Sequence, residues 1–151
     1  MILRFELLPL ARFKLVSAEM LAEHFEEGST YKGEAPLSVN WSQYQGLEDA
    51  GILYIAGAYD GKELVGYAVL CRIPNLFYSS IVAGVVQVLY LRPTYRKGRA
   101  GVRLVRYLEA LARAVGCNEL RLSVSRGRDR ERDLFVKLGF KFREAVFTVK
   151  I

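Results

Sequence analysis

LYLRPTYRKGRAG, residues 89 to 101, is the stretch on which the reading of the whole chain turns. It follows a run from Val82 rich in β-branched residues, and Pro93, which cannot donate to a sheet ladder, stops the strand. From Arg99 to Val115 the apolar positions Val105, Leu108, Ala112 and Val115 recur at helical spacing, with Arg99, Arg103, Arg106 and Arg113 on the wetter sides. A tight basic turn, Arg96 to Gly101, lies between. A strand that runs through such a turn into a helix aims successive N–H groups and a positive helix end at one point. Glycine there lets an anion come close to the backbone. The segment predicts a phosphate cradle.

The arginines add to this. Arg99 and Arg103 fall in the first turn of the helix, where a cation opposes the macrodipole and a bound anion would reverse the sign. Arg126, Arg128, Arg130 and Arg132 repeat the arrangement at the next helix start, with Asp129, Glu131 and Asp133 as local compensation.

Working outward, Ile52–Tyr59 and Leu64–Arg72 are β-rich runs separated by Asp60-Gly61-Lys62-Glu63, which predicts an antiparallel hairpin. Ser17–Glu27 and Trp41–Ala50 read as helices joined by a loop over Gly28–Leu37. After the long helix, Leu120–Ser125 alternates as a strand, Arg128–Leu138 is a helix closed by Gly139, and Phe140–Ile151 reads as terminal strand. Ile73–Leu91 carries no formal charge and is about long enough to cross a bilayer. Its Pro74, Asn75, Ser79, Ser80 and Gln87 favour two strands and a turn instead, and no membrane association is expected. Met1–Leu10, broken by Arg4, Glu6 and Pro9, does not read as a signal peptide.

At 151 residues and 52% hydrophobic content, one core can close, so a single domain over 1–151 is expected. Cys71, Cys117 and the one histidine, His24, have no metal-ligand spacing, which argues against a zinc site and a disulfide framework and fits a reducing, cytoplasmic setting. His24 reads as a surface residue. The net charge of +6 hides an asymmetry: residues 1–70 hold 5 basic and 10 acidic side chains, and residues 71–151 hold 17 and 6. An anionic partner should meet the second half: a phosphorylated cofactor, a nucleic acid, or both.

The order strand, Pro93-Thr-Tyr-Arg96, Lys-Gly-Arg-Ala-Gly101, amphipathic helix resembles the acyl-CoA pyrophosphate motif of GNAT N-acyltransferases, Pro-x-Tyr-Arg followed by x-x-Gly-x-Gly. Leu134-Phe-Val-Lys-Leu-Gly-Phe140 resembles that family's second motif. The strong similarity covers Leu64–Phe140. Weaker similarity to small phage-associated GNAT-like proteins runs through Asn40-Trp41, Tyr44, Asn75–Tyr78 and Glu144–Lys150, while residues 1–39 carry no family signal.

The resemblance implies an α/β GNAT fold, a twisted mixed sheet of six to seven strands flanked by four helices, and acetyl-CoA as co-substrate without a metal. It places Lys97, Gly98, Arg99, Ala100, Gly101 and Val102 on the pyrophosphate, with Arg96 and Arg128 beside it. Leu89, Tyr90 and Leu91 would lie along the pantetheine arm. Leu104, Val105 and Leu108 pack the helix. Two frames stay open: Arg99 replaces the first motif glycine, or Gly98 and Ala100 are the small residues. Phe135 stands where many members have a proton-donating tyrosine, and Gln87 near where many have a carboxylate base. Tyr78 and Tyr90 are the substitute catalytic candidates, against a plain reading as strand aromatics; ordered water is the other relay.

The expected activity is direct transfer of acetyl to a primary amine on a small molecule or protein, by a monomer or homodimer. The alternatives are a non-catalytic acyl-CoA or protein-binding domain, and acylation of a nucleic acid or a protein bound to one.

Overall fold

The computed structural model describes residues 2–151. The chain opens with a strand β1 (Arg4–Leu8), then two short helices, α1 (Leu10–Val16) and α2 (Ala18–Gly28), a loop, and α3 (Trp41–Asp49). An antiparallel meander follows, β2 (Leu53–Asp60), β3 (Glu63–Pro74) and β4 (Val82–Leu91). A short 3-10 turn (Pro93–Tyr95) leads into the long α4 (Ala100–Ala114), then β5 (Glu119–Arg121) and α5 (Asp129–Lys137). The sheet order is β1-β2-β3-β4-β5, antiparallel except for the parallel pair β4–β5. This is the mixed α/β architecture that the GNAT resemblance implies, with five strands among the described residues rather than six to seven and five helices rather than four.

Alternation along the strands sorts the core into two layers. Ile55, Tyr67, Val69 and Tyr90 face α1, α2 and α3, packing on Leu10, Phe13 and Met20. Ala56, Ala68, Leu70 and Val86 face Leu108, Leu111 and Ala112 of α4. Small residues on that side let α4 lie close: a Cβ on Gly84 would come within 3.1 Å of Ala112 Cβ.

One irregularity positions everything downstream. Val69 pairs with Val88 and Leu70 with Val86, so Gln87 is an extra residue, a β-bulge. Val86 and Val88, two apart, would otherwise share a face; the bulge sends Val86 to the α4 side and leaves Val88 against the α1–α2–α3 side. The strand pair beside it is short. β5 meets β4 only at Ala83–Val85, pinned by Asn118, whose Oδ1 accepts from Val82 N at 2.9 Å and whose Nδ2 donates to Ser80 O at 2.6 Å. Among the described residues no strand lies beside the outer edge of β4 from Val86 to Leu91.

Two expectations are corrected. The strand expected over Leu120–Ser125 is only Glu119–Arg121, because the neighbouring edge departs after Val85. No strand forms over residues 140–151: Phe142, Val146, Phe147, Val149 and Ile151 are exposed, and an alternating pattern makes a strand only where an edge pairs with it. The expected two-strand reading of Ile73–Leu91 agrees with β3 and β4, and no helix among the described residues is long and apolar enough to cross a membrane. β1 and α1 fall in the stretch that had no family signal. Arg4 to Leu8 pair in register with Tyr59 to Ile55.

Candidate acyl-CoA site

The 92–101 turn is held from the side by the β2–β3 hairpin. Tyr95 donates its hydroxyl to Asp60 at 2.9 Å, and Arg92 reaches Glu63 at 2.7 Å. Arg92 also grips Glu23 through Nε and Nη2, both at 3.0 Å, tying α2 to the end of β4. These carboxylates raise the Arg92 pKa, the Glu23 hydrogen bonds most of all. Below the turn, Ala100 packs on the cluster of Leu3, Ala58, Val65 and Leu91.

On that support the backbone turns left-handed at Gly98, φ +72°, a conformation that costs a side chain about 1–2 kcal/mol. Arg99 follows at φ −101° as the N-cap of α4, with no side-chain cap, and the first helical N–H to find a partner is that of Arg103, on Arg99 O at 2.9 Å. Uncapped helix starts leave donors pointing outward. A Cβ at Gly98 or Gly101 would meet nothing within 4 Å, so the space over the turn is open. The backbone therefore needs glycine at Gly98 and accepts a side chain at Arg99. Open N–H groups, a small-residue turn and the exposed cations Lys97 and Arg99 fit a diphosphate.

The strand edge leading to the turn is also available. Arg92 N bonds Val65 O across to β3, so by alternation the backbone groups of Tyr90 face β3 and those of Leu89 and Leu91 face the open edge. The Leu91 carbonyl accepts from Arg96 Nε at 2.6 Å, and the Leu89 groups remain on the edge.

The structure brings Leu89, Tyr90, Leu91 and the residues from Arg96 to Val102 together around the end of β4, and places Tyr78 apart from them. Tyr78 lies in the β3–β4 turn, about 30 Å away along a ten-residue strand, 66% exposed beside Leu76 and Phe77. Asn75 Oδ1 accepts from the N–H groups of Phe77 and Tyr78 and fixes that turn. Gln87 is the exposed bulge residue. Tyr90 is buried against α2. Phe135 is buried and packs on Phe140, ring centroids 5.8 Å apart. Arg103, counted with the cradle from its position in the first turn, lies over the Phe5 ring at 5.2 Å.

Sequence reading missed two residues beside the cradle. His24 is not a surface residue: Nδ1 lies 2.6 Å from Tyr67 Oη and the ring stacks on Tyr90 at 4.6 Å. Burial pushes its pKa down, Glu27 pulls up, and Arg128 and Arg96 push down. The signal was its spacing of four from the buried Met20, which sets both on one helix face. Glu27, on the last turn of α2, receives both terminal nitrogens of Arg96 at 2.6 Å, which hold its pKa low. Only proximity in the fold could reveal it. The same carboxylate adds to burial in raising the Tyr90 pKa, so Tyr90 keeps its proton.

A sequence profile of the acetyltransferase (GNAT) family matches residues 17–140. The chain belongs to the GNAT acetyltransferase family. The fold agrees with solved members at low identity. A ribosomal-protein-alanine N-acetyltransferase from Brucella melitensis biovar Abortus 2308 superposes with a TM-score of 0.78 at 19% identity, covering 100% of this chain and 99% of that one. An aminoglycoside acetyltransferase from an uncultured soil metagenomic sample gives 0.77 at 18%, with 100% and 99% covered. AAC(6')-Iy, solved with the bisubstrate analog CoA-S-monomethyl-acetylneamine, gives 0.76 at 14%, with 100% and 99% covered. No curated protein sequence matches. Across the GNAT family the fold is common to proteins with different acceptors, so the acceptor has to be argued from the site.

Proposed function

We propose that this GNAT protein transfers an acetyl group from acetyl-CoA to a primary amine without a covalent enzyme intermediate. The observation that carries the reading is the uncapped glycine turn at the end of a strand whose outer edge is open from Val86 to Leu91. Acetyl-CoA supplies the acyl group already activated as a thioester.

The chain's own residues do the positioning. N–H groups from Lys97 to Val102 hold the diphosphate, with Lys97 and Arg99 adding charge, and the edge groups of Leu89 hold the pantetheine amides as a peptide is held at a sheet edge. A strand N–H beside Tyr90 offers a donor to the acyl carbonyl. Neither Phe135 nor Gln87 can move a proton. Tyr90 stays protonated and Cys71 and Cys117 are buried thiols with raised pKa, Cys71 by burial and Cys117 by burial against the opposing pull of Arg72. In this reading water takes the proton from the bound ammonium, and the amine attacks in its neutral form. The acidic first half of the chain favours a cationic acceptor, a protein lysine or a polyamine-like molecule, over a nucleic acid.

A second reading, a domain that binds acyl-CoA without turnover, draws on the same Phe135 and Gln87. Thermal shift with millimolar CoA, followed by mass-spectrometric screening of acetyl transfer to an amine library, decides between them. A raised melting temperature and an acetylated amine, both lost in Gly101→Asp, are expected. A shift without any acetylated amine would favour the binder, and no shift would sink both.

A further inference from the structure

The arginine fork beside the cradle already holds an anion. Arg96 Nη1 and Nη2 donate to the two carboxylate oxygens of Glu27, each at 2.6 Å, and Arg128 Nη1, from the start of α5, lies 3.6 Å from Glu27 Oε1 and 3.5 Å from Glu131 Oε1. A bidentate guanidinium with a second cation facing it is how proteins bind phosphate. The carboxylate is not there for the benefit of its own helix. Glu27 occupies the last turn of α2, where the dipole disfavours negative charge and no basic residue of the helix compensates. Nor does Arg96 need it to stay in place, since Nε is fixed on Leu91 O and the guanidinium lies over the Tyr90 ring at 5.3 Å. Removing the carboxylate would leave both terminal nitrogens of Arg96, beside the end of β4, without a partner.

We propose that Glu27 is an internal competitor for the cofactor's phosphates, holding Arg96 and Arg128 until the cofactor displaces it. This rests on the acyl-CoA reading above. A diphosphate carries more charge than a carboxylate and also takes the turn's N–H groups, so it wins the fork, and Glu27 sets how tightly.

Calorimetric titration of CoA into the wild type, Glu27→Gln, Arg96→Ala/Arg128→Ala and the triple variant tests this, with melting curves confirming that each is folded. The isosteric Glu27→Gln should tighten CoA binding about tenfold, the arginine pair should weaken it at least as much, and Glu27→Gln should change little once both arginines are gone. Binding detectable only in Glu27→Gln would support the competition in a stronger form. Unchanged or weaker binding in Glu27→Gln, with the arginines still required, would overturn it, make Glu27 a positioning residue, and leave the cofactor reading intact. Tightening that persists without the arginines would overturn it too, because general repulsion rather than competition would be the cause. If no variant binds CoA, the cofactor reading falls and the proposal with it.

Discussion

His24 shows how one residue's surroundings become a measurable pH dependence. Burial holds its folded pKa below the ordinary 6.5, so in mildly acid solution the unfolded chain binds a proton that the folded chain refuses. Its contribution is constant above about pH 6.5 and turns against the fold as the pH drops from there toward the folded pKa. Urea midpoints should therefore fall between pH 7.5 and 5.5 in the wild type and fall less in His24→Gln. Parallel profiles would show that the imidazole is not desolvated. The depressed Glu27 pKa acts in a lower window, below its ordinary 4.5, where protonation removes the Arg96 pair. Phe135 makes the opposite case, a residue whose interest lies in what it lacks. It is packed against Phe140, and a thiolate leaving group needs proton donation less than an alkoxide would, so Phe135→Tyr should leave the fold intact and change acetyl transfer by less than about tenfold. An increase of hundreds-fold, measured by thiol release, would mark the natural protein as a crippled catalyst.

At the scale of elements, β4 carries the design, and its glycine neighbours are not equivalent. Gly66 on β3 lies opposite Leu91, and a Cβ there would stand 2.8 Å from Tyr90 O and 2.7 Å from Leu91 Cδ1. The backbone that must move is the one entering the cradle, so Gly66→Ala should cost about 1–3 kcal/mol in chemical denaturation and weaken CoA binding. Gly101, in helical geometry with free space around it, should accept alanine with almost no loss of stability. Gly98→Ala lies between, costing about 1–2 kcal/mol through its left-handed backbone alone. If Gly66→Ala were as silent as Gly101→Ala, the close approach of β3 to the end of β4 would be wrong.

Over the whole molecule the charge asymmetry takes on a structural meaning. The acidic first half and the basic second half meet where α2 crosses the end of β4, and Arg92 is the hub, reaching Glu23, Glu63 and, at 3.8 Å, Glu19. Much of the positive excess near the turn is thus neutralised within the chain rather than offered to a partner. The guanidinium is mostly sheltered but two of its carboxylates are well exposed, so Arg92→Ala should cost about 1 kcal/mol at low salt and much less at 1 M NaCl, measured in urea. A loss unaffected by salt would make Arg92 a packing residue.

The strand–turn–helix at 89–101, the hairpin around Gly61 and the terminator glycines were legible because they depend on local properties: period, turn chemistry and backbone freedom at residues such as Gly98. The bulge at Gln87, the open edge beyond Val85 and the missing terminal strand were not, because strand pairing depends on which edge lies alongside, and no single segment carries that information. β1 was hidden for the same reason: it gains its identity from Leu53–Asp60, fifty residues away. The sequence by itself determined that arginines would gather near the cradle. Only the tertiary structure decided that Glu27, 69 residues before Arg96, meets them there, because ion pairs form between groups that packing brings within reach.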